Sequence, residues 1–113
     1  MKAADLMIGD KVMVKVLSQI PDTYVLHTWT ANDYSRDIQV KPIPLTAEIL
    51  EKNGWWFNTE DTWYHDEVRF SIEKWNGKLQ CYDINQIKLE SVHQLQHALR
   101  LCRLDELADN FKI

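Results

Sequence analysis

The chain has 113 residues, of which 45% are apolar and 27% are charged, and its formal net charge is −4. This length fits one domain with its own core, and the composition is that of a globular protein rather than a disordered one. The acidic balance, together with the lack of any block of Lys and Arg, argues against binding of duplex nucleic acid through its phosphates.

The compartment is predicted from what the sequence lacks. No apolar run approaches the ~20 residues that a membrane-spanning helix needs, and the first residues are not followed by the apolar stretch of a signal peptide. We therefore expect a cytoplasmic protein without a membrane partner. In that compartment Cys81 and Cys102, which both stand in apolar patterns, are expected to be free, buried thiols.

The first third of the chain has the pattern of short strands. Residues 11–16 carry valine at every second position, which is typical of a half-buried strand. Residues 23–30 are rich in aromatic and β-branched side chains, and a third strand is expected through Ile38 and Val40. Tight turns between these segments predict a small β meander, SH3-like or a partial barrel, over residues 1–40.

A stiff connector follows, because the two prolines in residues 42–44 lack amide donors and disfavour helix before them. Thr46 can then cap a short helix over residues 47–52, and Gly54 can end it in the left-handed conformation. The connector predicts a soft internal boundary near residues 41–46, between a β lobe and an α+β lobe.

The clearest hairpin has Asn76-Gly77 as its two-residue turn, between strands predicted at 68–75 and 78–84. Such a turn places Trp75 opposite Lys78, Ile72 opposite Cys81, and Phe70 opposite Asp83. One face of the hairpin is then apolar and is expected to be core: Val68, Phe70, Ile72, Leu79 and Cys81. A third strand is expected through Ile87 and Leu89.

A helix is predicted to begin at Ser91, because Ser91 and Gln94 have the spacing of a capping box. One stripe of this helix is apolar and should face the core: Val92, Leu95, Ala98, Leu99 and Cys102. His93, His97 and Arg100 fall on the opposite side.

The pattern changes beyond Cys102, since Leu104, Leu107 and Phe111 would lie on the His93 side of a continued helix. Either the helix breaks near Leu104, with Asp105 as a new N-cap, or a partner subunit covers a second apolar face. We favour the break, although both can hold.

Three segments, in this order, resemble a family of small uncharacterised proteins of bacteria and their phages: IGD at residues 8–10, KPIPLT at 41–46 and VHQLQH at 92–97. The resemblance covers most of the chain. The family has no assigned activity and no catalytic residues, so the resemblance implies only a phage or mobile-element context. The chain departs from the family pattern at Arg103, where a helix-ending glycine often stands, and in its Trp-rich middle.

The polar helix face suggests two sites. His93 and His97 at i and i+4 can share a metal ion if His65, Asp66 or Glu67 supplies a third ligand. Together with Arg100 they make a better site for an anion or phosphate, since Arg offers a planar fork of donors. The alternative is a solvated helix face.

The middle of the chain has more large aromatic side chains than a core of this size needs, although several must be buried: Trp55, Trp56, Trp63, Tyr64 and Trp75. An exposed aromatic ring near Arg69 or Arg100 could stack a nucleobase. No nucleophile elbow, glycine-rich phosphate loop, Cys-x-x-Cys or His-Glu-x-x-His pattern occurs, and the carboxylates show no recognisable pairing, so an enzyme is not expected.

These patterns predict an α+β fold in one domain, residues 1–113, with a β lobe over 1–40 and an α+β lobe over 46–113. In the second lobe an antiparallel hairpin sheet is covered by a C-terminal helix.

The function predicted is that of a non-enzymatic binding protein of phage or mobile-element type, dimeric, which sequesters a small nucleotide-derived ligand such as a defence signal. No catalytic residue, metal or cofactor is expected. The ligand-binding residues are predicted to be Trp56, Trp63, Tyr64, Arg69, His93, His97 and Arg100.

Two alternatives remain open from the sequence. The first is a protein–protein module that inhibits or bridges a host protein through an apolar side formed by Leu101, Leu104, Leu107 and Phe111. The second is a metal-dependent hydrolase.

Overall fold

A computed structural model describes residues 2–15, 23–35, 38–58, 61–75, 77–81 and 87–113. Over these residues the protein is α+β, with two antiparallel sheets and three α-helices, as predicted. Their buried apolar side chains form two clusters. A small one contains Leu6, Val12 and Trp29, and a large one extends from Ile43 to Phe111.

The N-terminal sheet contains β1 (Lys11–Lys15), β2 (Tyr24–Thr28) and β3 (Val40–Lys41) in the order β2-β1-β3. The predicted strands are present, but the third one pairs with β1 rather than with its neighbour in sequence. The end of the first predicted strand, at Val16, lies outside the described residues.

The short helix α1 (Ala47–Lys52) begins and ends as predicted. The side-chain oxygen of Thr46 accepts a hydrogen bond from the amide of Ile49 at 3.3 Å. Gly54 follows the helix with a φ of 85°, a left-handed conformation that glycine adopts without steric cost.

The second sheet has five strands in sequence order: β4 (Trp56–Phe57), β5 (Thr62–Tyr64), β6 (Ile72–Trp75), β7 (Lys78–Cys81) and β8 (Ile87–Lys88). The predicted hairpin register is confirmed where it is described, with Trp75 opposite Lys78 and Ile72 opposite Cys81. The predicted pairing of Phe70 with Asp83 lies outside the described residues. The first strand of the hairpin, β6, is shorter than predicted because it begins at Ile72, although Val68 and Phe70 are buried as expected.

The C-terminal helix breaks near Leu104, as favoured from the sequence. Helix α2 spans Val92–Leu101 and α3 spans Asp105–Asp109, so Asp105 is the first residue of α3 and not its cap. The amide of Leu104 bonds to the carbonyl of Leu99, and the amide of Arg103 bonds to that of Arg100. This pair of bonds is a Schellman ending, which turns the chain back toward the core.

The break explains one incorrect prediction. The predicted stripe of α2 is buried from Val92 to Leu99, but Cys102 is exposed because the helix ends at Leu101 and Cys102 leaves the stripe. Cys81 is buried as predicted, and the two cysteines are not joined by a disulfide bond.

Arg103 occupies the position of this ending where glycine is preferred, with a φ of 61°. A residue with a side chain in that conformation destabilises the folded state by roughly 1–2 kcal/mol, and glycine removes this cost. Part of the gain is lost, because glycine makes the unfolded chain more flexible. We expect Arg103→Gly to raise the free energy of unfolding by about 0.5–1 kcal/mol in urea unfolding. Arg103→Ala, which keeps the strain, is the control; an equal gain in both variants would contradict this account.

Candidate functional site

The polar side of α2 is closed by a buried carboxylate from the N-terminal turn. Asp10, which has no exposed surface, accepts hydrogen bonds from His97 Nε2 at 2.6 Å and from Arg100 Nη1 at 2.5 Å. The amide of Met7 donates to the same carboxylate. Burial by itself raises the pKa of Asp10, but the bonds from His97, Met7 and Arg100 outweigh it and hold the pKa below its usual value.

Gln96 completes this contact between the N-terminal turn and the two C-terminal helices. Its side chain is fully buried and bonds three backbone groups. The amide nitrogen donates to the carbonyls of Gly9 and Ala108, at 3.0 and 2.8 Å, and the amide oxygen accepts from the N–H of Lys11 at 2.8 Å. We refer to Asp10, Gln96, His97 and Arg100 together as the polar junction.

His93 is buried rather than solvated, with its Nδ1 3.0 Å from the hydroxyl oxygen of Ser91. Burial lowers the pKa of His93, and the nearby charge of Asp10 opposes this without reversing it. A neutral imidazole is a weak partner for an anion. The structure thus places the predicted donors of this face in contacts within the chain, where Arg100 and His97 already face the charge of Asp10.

The described residues include no group of three or more His, Cys, Asp or Glu side chains that could hold a metal ion. His65, the candidate third ligand, instead packs against Trp55, and its Nδ1 accepts the amide of Glu67. The geometry of this part of the chain therefore gives the metal-dependent hydrolase no support.

The predicted aromatic residues divide between the two faces of the second sheet. Residues opposite each other on neighbouring strands share a face. Phe57 is opposite Trp63, Trp63 is opposite Ile72, and Ile72 is opposite Cys81, so these four form one row on the core face. Trp56 is opposite Tyr64 on the other face, where the two rings lie 5.0 Å apart.

The row on the core face is covered at one end and open at the other. Ile72 and Cys81 have no exposed surface, and Trp63 is 6% exposed. Phe57 lies on the edge strand β4 and is 48% exposed, with its ring 5.0 Å from that of Trp63. An aromatic side chain in this position is held by its neighbour while it offers a free ring surface.

A groove of about 460 Å³ lies beside Phe57, between the sheet and α1. Its walls include Phe57, Trp63 and Leu79 from the sheet, and Leu45, Ala47 and Glu51 from the connector and α1. The remaining lining residues are Asp61, Lys74 and Gly77. We call this the aromatic groove; its volume and its mixture of apolar walls with a few polar groups are typical of small-molecule sites.

Other predicted site residues lie outside this groove. Arg69 is exposed in the segment between β5 and β6, and Trp56 is 50% exposed on the far face of β4. Of the predicted ligand residues, the aromatic groove contains only Trp63. The sequence did not indicate Phe57 and Lys74 as site residues. Their common face depends on the pairing of β4, β5 and β6, and the Asn76-Gly77 turn predicted only the pairing of β6 with β7.

The apolar side proposed for a protein partner is largely folded inward. Phe111 is 4% exposed, and Leu104 and Leu107 pack partly buried against the main core, whereas Leu101 is 66% exposed. No helix in the described part of the chain is both long enough and apolar enough to span a membrane. Comparison of the chain with protein-family models, with curated protein sequences and with solved structures gave no match.

Proposed function

We propose that this protein is a non-enzymatic binding protein that takes a small nucleotide-type ligand in the aromatic groove. The observation that carries the proposal is the half-exposed ring of Phe57, which is held against the buried Trp63 at the exposed end of the row that continues through Ile72 and Cys81. A flat base can lie on such a ring, and stacking of this kind contributes about 1–3 kcal/mol per base.

The polar residues of the groove suit the same ligand class. Glu51 and Asp61 are exposed carboxylates, which can accept hydrogen bonds from the amino groups of a base. Lys74 is an exposed ammonium on the same lining and can bind a phosphate as a point charge. A nucleotide carries both kinds of group, whereas a purely apolar ligand would use neither.

The wider expectations belong to this proposal as well. A cytoplasmic location, a dimer and a phage or mobile-element context come from the sequence. A role in sequestering a nucleotide signal is the part of this proposal that comes from that context.

The test compares Phe57→Ala with Trp56→Ala, because the two side chains are adjacent on β4, are almost equally exposed and lie on opposite faces. We expect at least one of the four ribonucleoside 5′-monophosphates to raise the melting temperature of the protein. Phe57→Ala should weaken that binding by roughly 5- to 150-fold in calorimetry, and Trp56→Ala should leave it unchanged.

Two results would overturn the proposal. If no monophosphate and no dinucleotide binds, the protein is not a nucleotide-binding protein. If Trp56→Ala abolishes binding while Phe57→Ala does not, the ligand lies on the outer face beside Tyr64 instead.

A further inference from the structure

The strand β2 forms an open edge of the N-terminal sheet. It spans Tyr24–Thr28 and pairs with β1 alone among the described strands. It has five residues, whereas the edge strands β3, β4 and β8 have two residues each. Of the edges in the described part of the chain, β2 is therefore the one long enough to pair along its length with a further strand.

The pairing of β1 with β2 shows which main-chain groups of β2 point outward. Trp29, directly after β2, exchanges two main-chain hydrogen bonds with the turn before β1, so its groups point to the β1 side. Lys15, opposite Tyr24, gives its N–H to the carbonyl of Gln39 and not to β2. Because these groups alternate in direction along a strand, three residues of β2 point away from β1: Tyr24, Leu26 and Thr28. Among the described residues, none bonds these outward main-chain groups.

The side chains of β2 lack the usual protection of a free edge. Natural edge strands are commonly protected by lysine, by other charges or by proline. The five residues of β2 include no Asp, Glu, Lys, Arg or Pro. Val25 is 44% exposed and Leu26 is 52% exposed, and as consecutive strand residues they lie on opposite faces. The strand thus offers unpaired main-chain groups together with apolar side chains that a partner strand would cover.

We propose that β2 is the surface through which two copies of this chain associate, antiparallel, about a two-fold axis at Leu26. This axis puts Leu26 opposite its own counterpart and Tyr24 opposite Thr28 of the second copy. All these residues have outward main-chain groups, so each facing pair can exchange two hydrogen bonds. An axis at Val25 or His27 would instead centre the contact on groups that point to β1.

A second copy suits this edge because β2 is complementary to itself. Outward groups meet outward groups, and two exposed leucines meet on the axis without opposed charges. The two N-terminal sheets then form one continuous sheet across both copies. The sequence predicts a dimer without assigning a surface to it; this inference assigns one, and it does not depend on the aromatic groove.

Two lysines beside β2 determine the expected effect of salt. Lys11 Nζ donates to Thr28 Oγ1 at 2.6 Å, and Lys41 Nζ lies 4.0 Å from the centre of the Tyr24 ring. Because Tyr24 faces Thr28 across the axis, Lys41 of one copy approaches Lys11 of the other. The two chains, each of net charge −4, also repel each other. Salt screens such repulsion, so the association should strengthen with salt, unlike a contact held by opposite charges.

The test is sedimentation equilibrium without nucleotide, from about 1 to about 300 µM protein, at about 0.05 M and about 0.5 M salt. About six hydrogen bonds correspond to a small interface, so we expect a dissociation constant of about 10–100 µM. Leu26→Lys, which puts two ammonium groups at the axis, should weaken the dimer at least about tenfold. Leu101→Lys, at an exposed leucine of α2, is the matched control and should leave it unchanged.

Cross-linking tests the position of the axis. In a Cys102→Ser background, Leu26→Cys meets its own counterpart with Cα atoms about 5.5 Å apart, which a disulfide can span. Val25→Cys faces His27 of the second copy instead. Diamide, which is reduced as it takes up the two hydrogens of a thiol pair, should therefore join two copies of Leu26→Cys much faster than two copies of Val25→Cys.

The contrary results are distinct from one another. A chain that stays monomeric at every concentration and at both salt levels overturns the self-association and leaves the edge to a strand of another protein. A dimer that survives Leu26→Lys overturns the assignment of β2, and its loss in Leu101→Lys would move the interface to α2. Equal cross-linking of the two cysteine variants, or a dimer that weakens with salt, overturns the axis at Leu26. None of these results bears on nucleotide binding, which is measured separately.

Discussion

Asp10→Asn is expected to lower the free energy of unfolding by about 3 kcal/mol at pH 7, because it removes a buried charge while the groups that pair with it remain. Arg100 Nη1 and His97 Nε2 both donate to Asp10, and the side chain of Arg100 is only 14% exposed. An asparagine of the same shape keeps an oxygen for the Met7 amide but leaves the guanidinium without its buried counter-charge.

The pH dependence of this loss distinguishes a charge effect from a packing effect. The pKa of Asp10 is lower in the folded protein than its usual value near 4, so its contribution is complete above about pH 4 and is lost as the pH falls through the folded pKa. The difference between the wild-type protein and Asp10→Asn should therefore narrow in acid. The measurement is urea unfolding of both proteins from pH 7 to pH 3.

Asp109→Asn is the control for Asp10→Asn, and Asp33 accounts for the acid sensitivity that both variants keep. Asp109 also faces Arg100, at 3.4 Å, but its side chain is 58% exposed, so Asp109→Asn should cost under about 1 kcal/mol. Burial raises the pKa of Asp33, but hydrogen bonds from His27 and Thr30 hold it at about 2, so some acid sensitivity will remain in both Asp10→Asn and Asp109→Asn. Equal losses for Asp10→Asn and Asp109→Asn would refute the assignment of the buried charge.

Local sequence patterns were enough to predict those elements whose signals lie within a few residues. The hairpin register follows from Asn76-Gly77, and the start of α2 follows from Ser91 and Gln94. The break between α2 and α3 near Leu104 follows from the change in apolar period. The conformation of Arg103 also shows that the helix can end in this way without a glycine.

The polar junction could not be predicted because its partners are far apart in sequence. Asp10 and Arg100 are separated by 90 positions, and Gln96 and Lys11 by 85. A polar residue in a turn, or on the polar side of an amphipathic helix, is ordinarily exposed to solvent. The sequence pattern was therefore consistent with a solvent-exposed side of α2 that carries His97 and Arg100 as hydrogen-bond donors. In the fold, the N-terminal turn covers that side.

The aromatic groove was predictable only in part, and for a different reason. Composition showed an excess of aromatic side chains, but the face on which each one lies depends on a strand pairing that only the folded sheet defines. Trp56 and Phe57 are consecutive, so a shift of one residue would exchange the ring on the outer face for the ring in the groove.

The side chain of Gln96 should contribute as much to stability as a large apolar core residue. We expect Gln96→Leu to lower the free energy of unfolding by about 3 kcal/mol, although leucine is apolar and of similar size. The loss arises because the carbonyls of Gly9 and Ala108 and the N–H of Lys11 would stay buried or partly buried without their partners. Chemical unfolding measures the total, and hydrogen exchange at the Lys11 amide should accelerate.

Gln94→Leu is the matched control, because it makes the same change on the same helix two residues earlier. The Gln94 side chain accepts from the amides of Glu90 and Ser91 at the start of α2, in a partly exposed position, so its loss should cost about 1 kcal/mol. A smaller loss for Gln96→Leu than for Gln94→Leu would mean that water or a shift of the N-terminal turn replaces the three bonds. The larger loss, together with faster exchange at Lys11, would establish that one buried amide joins the N-terminal turn to both C-terminal helices.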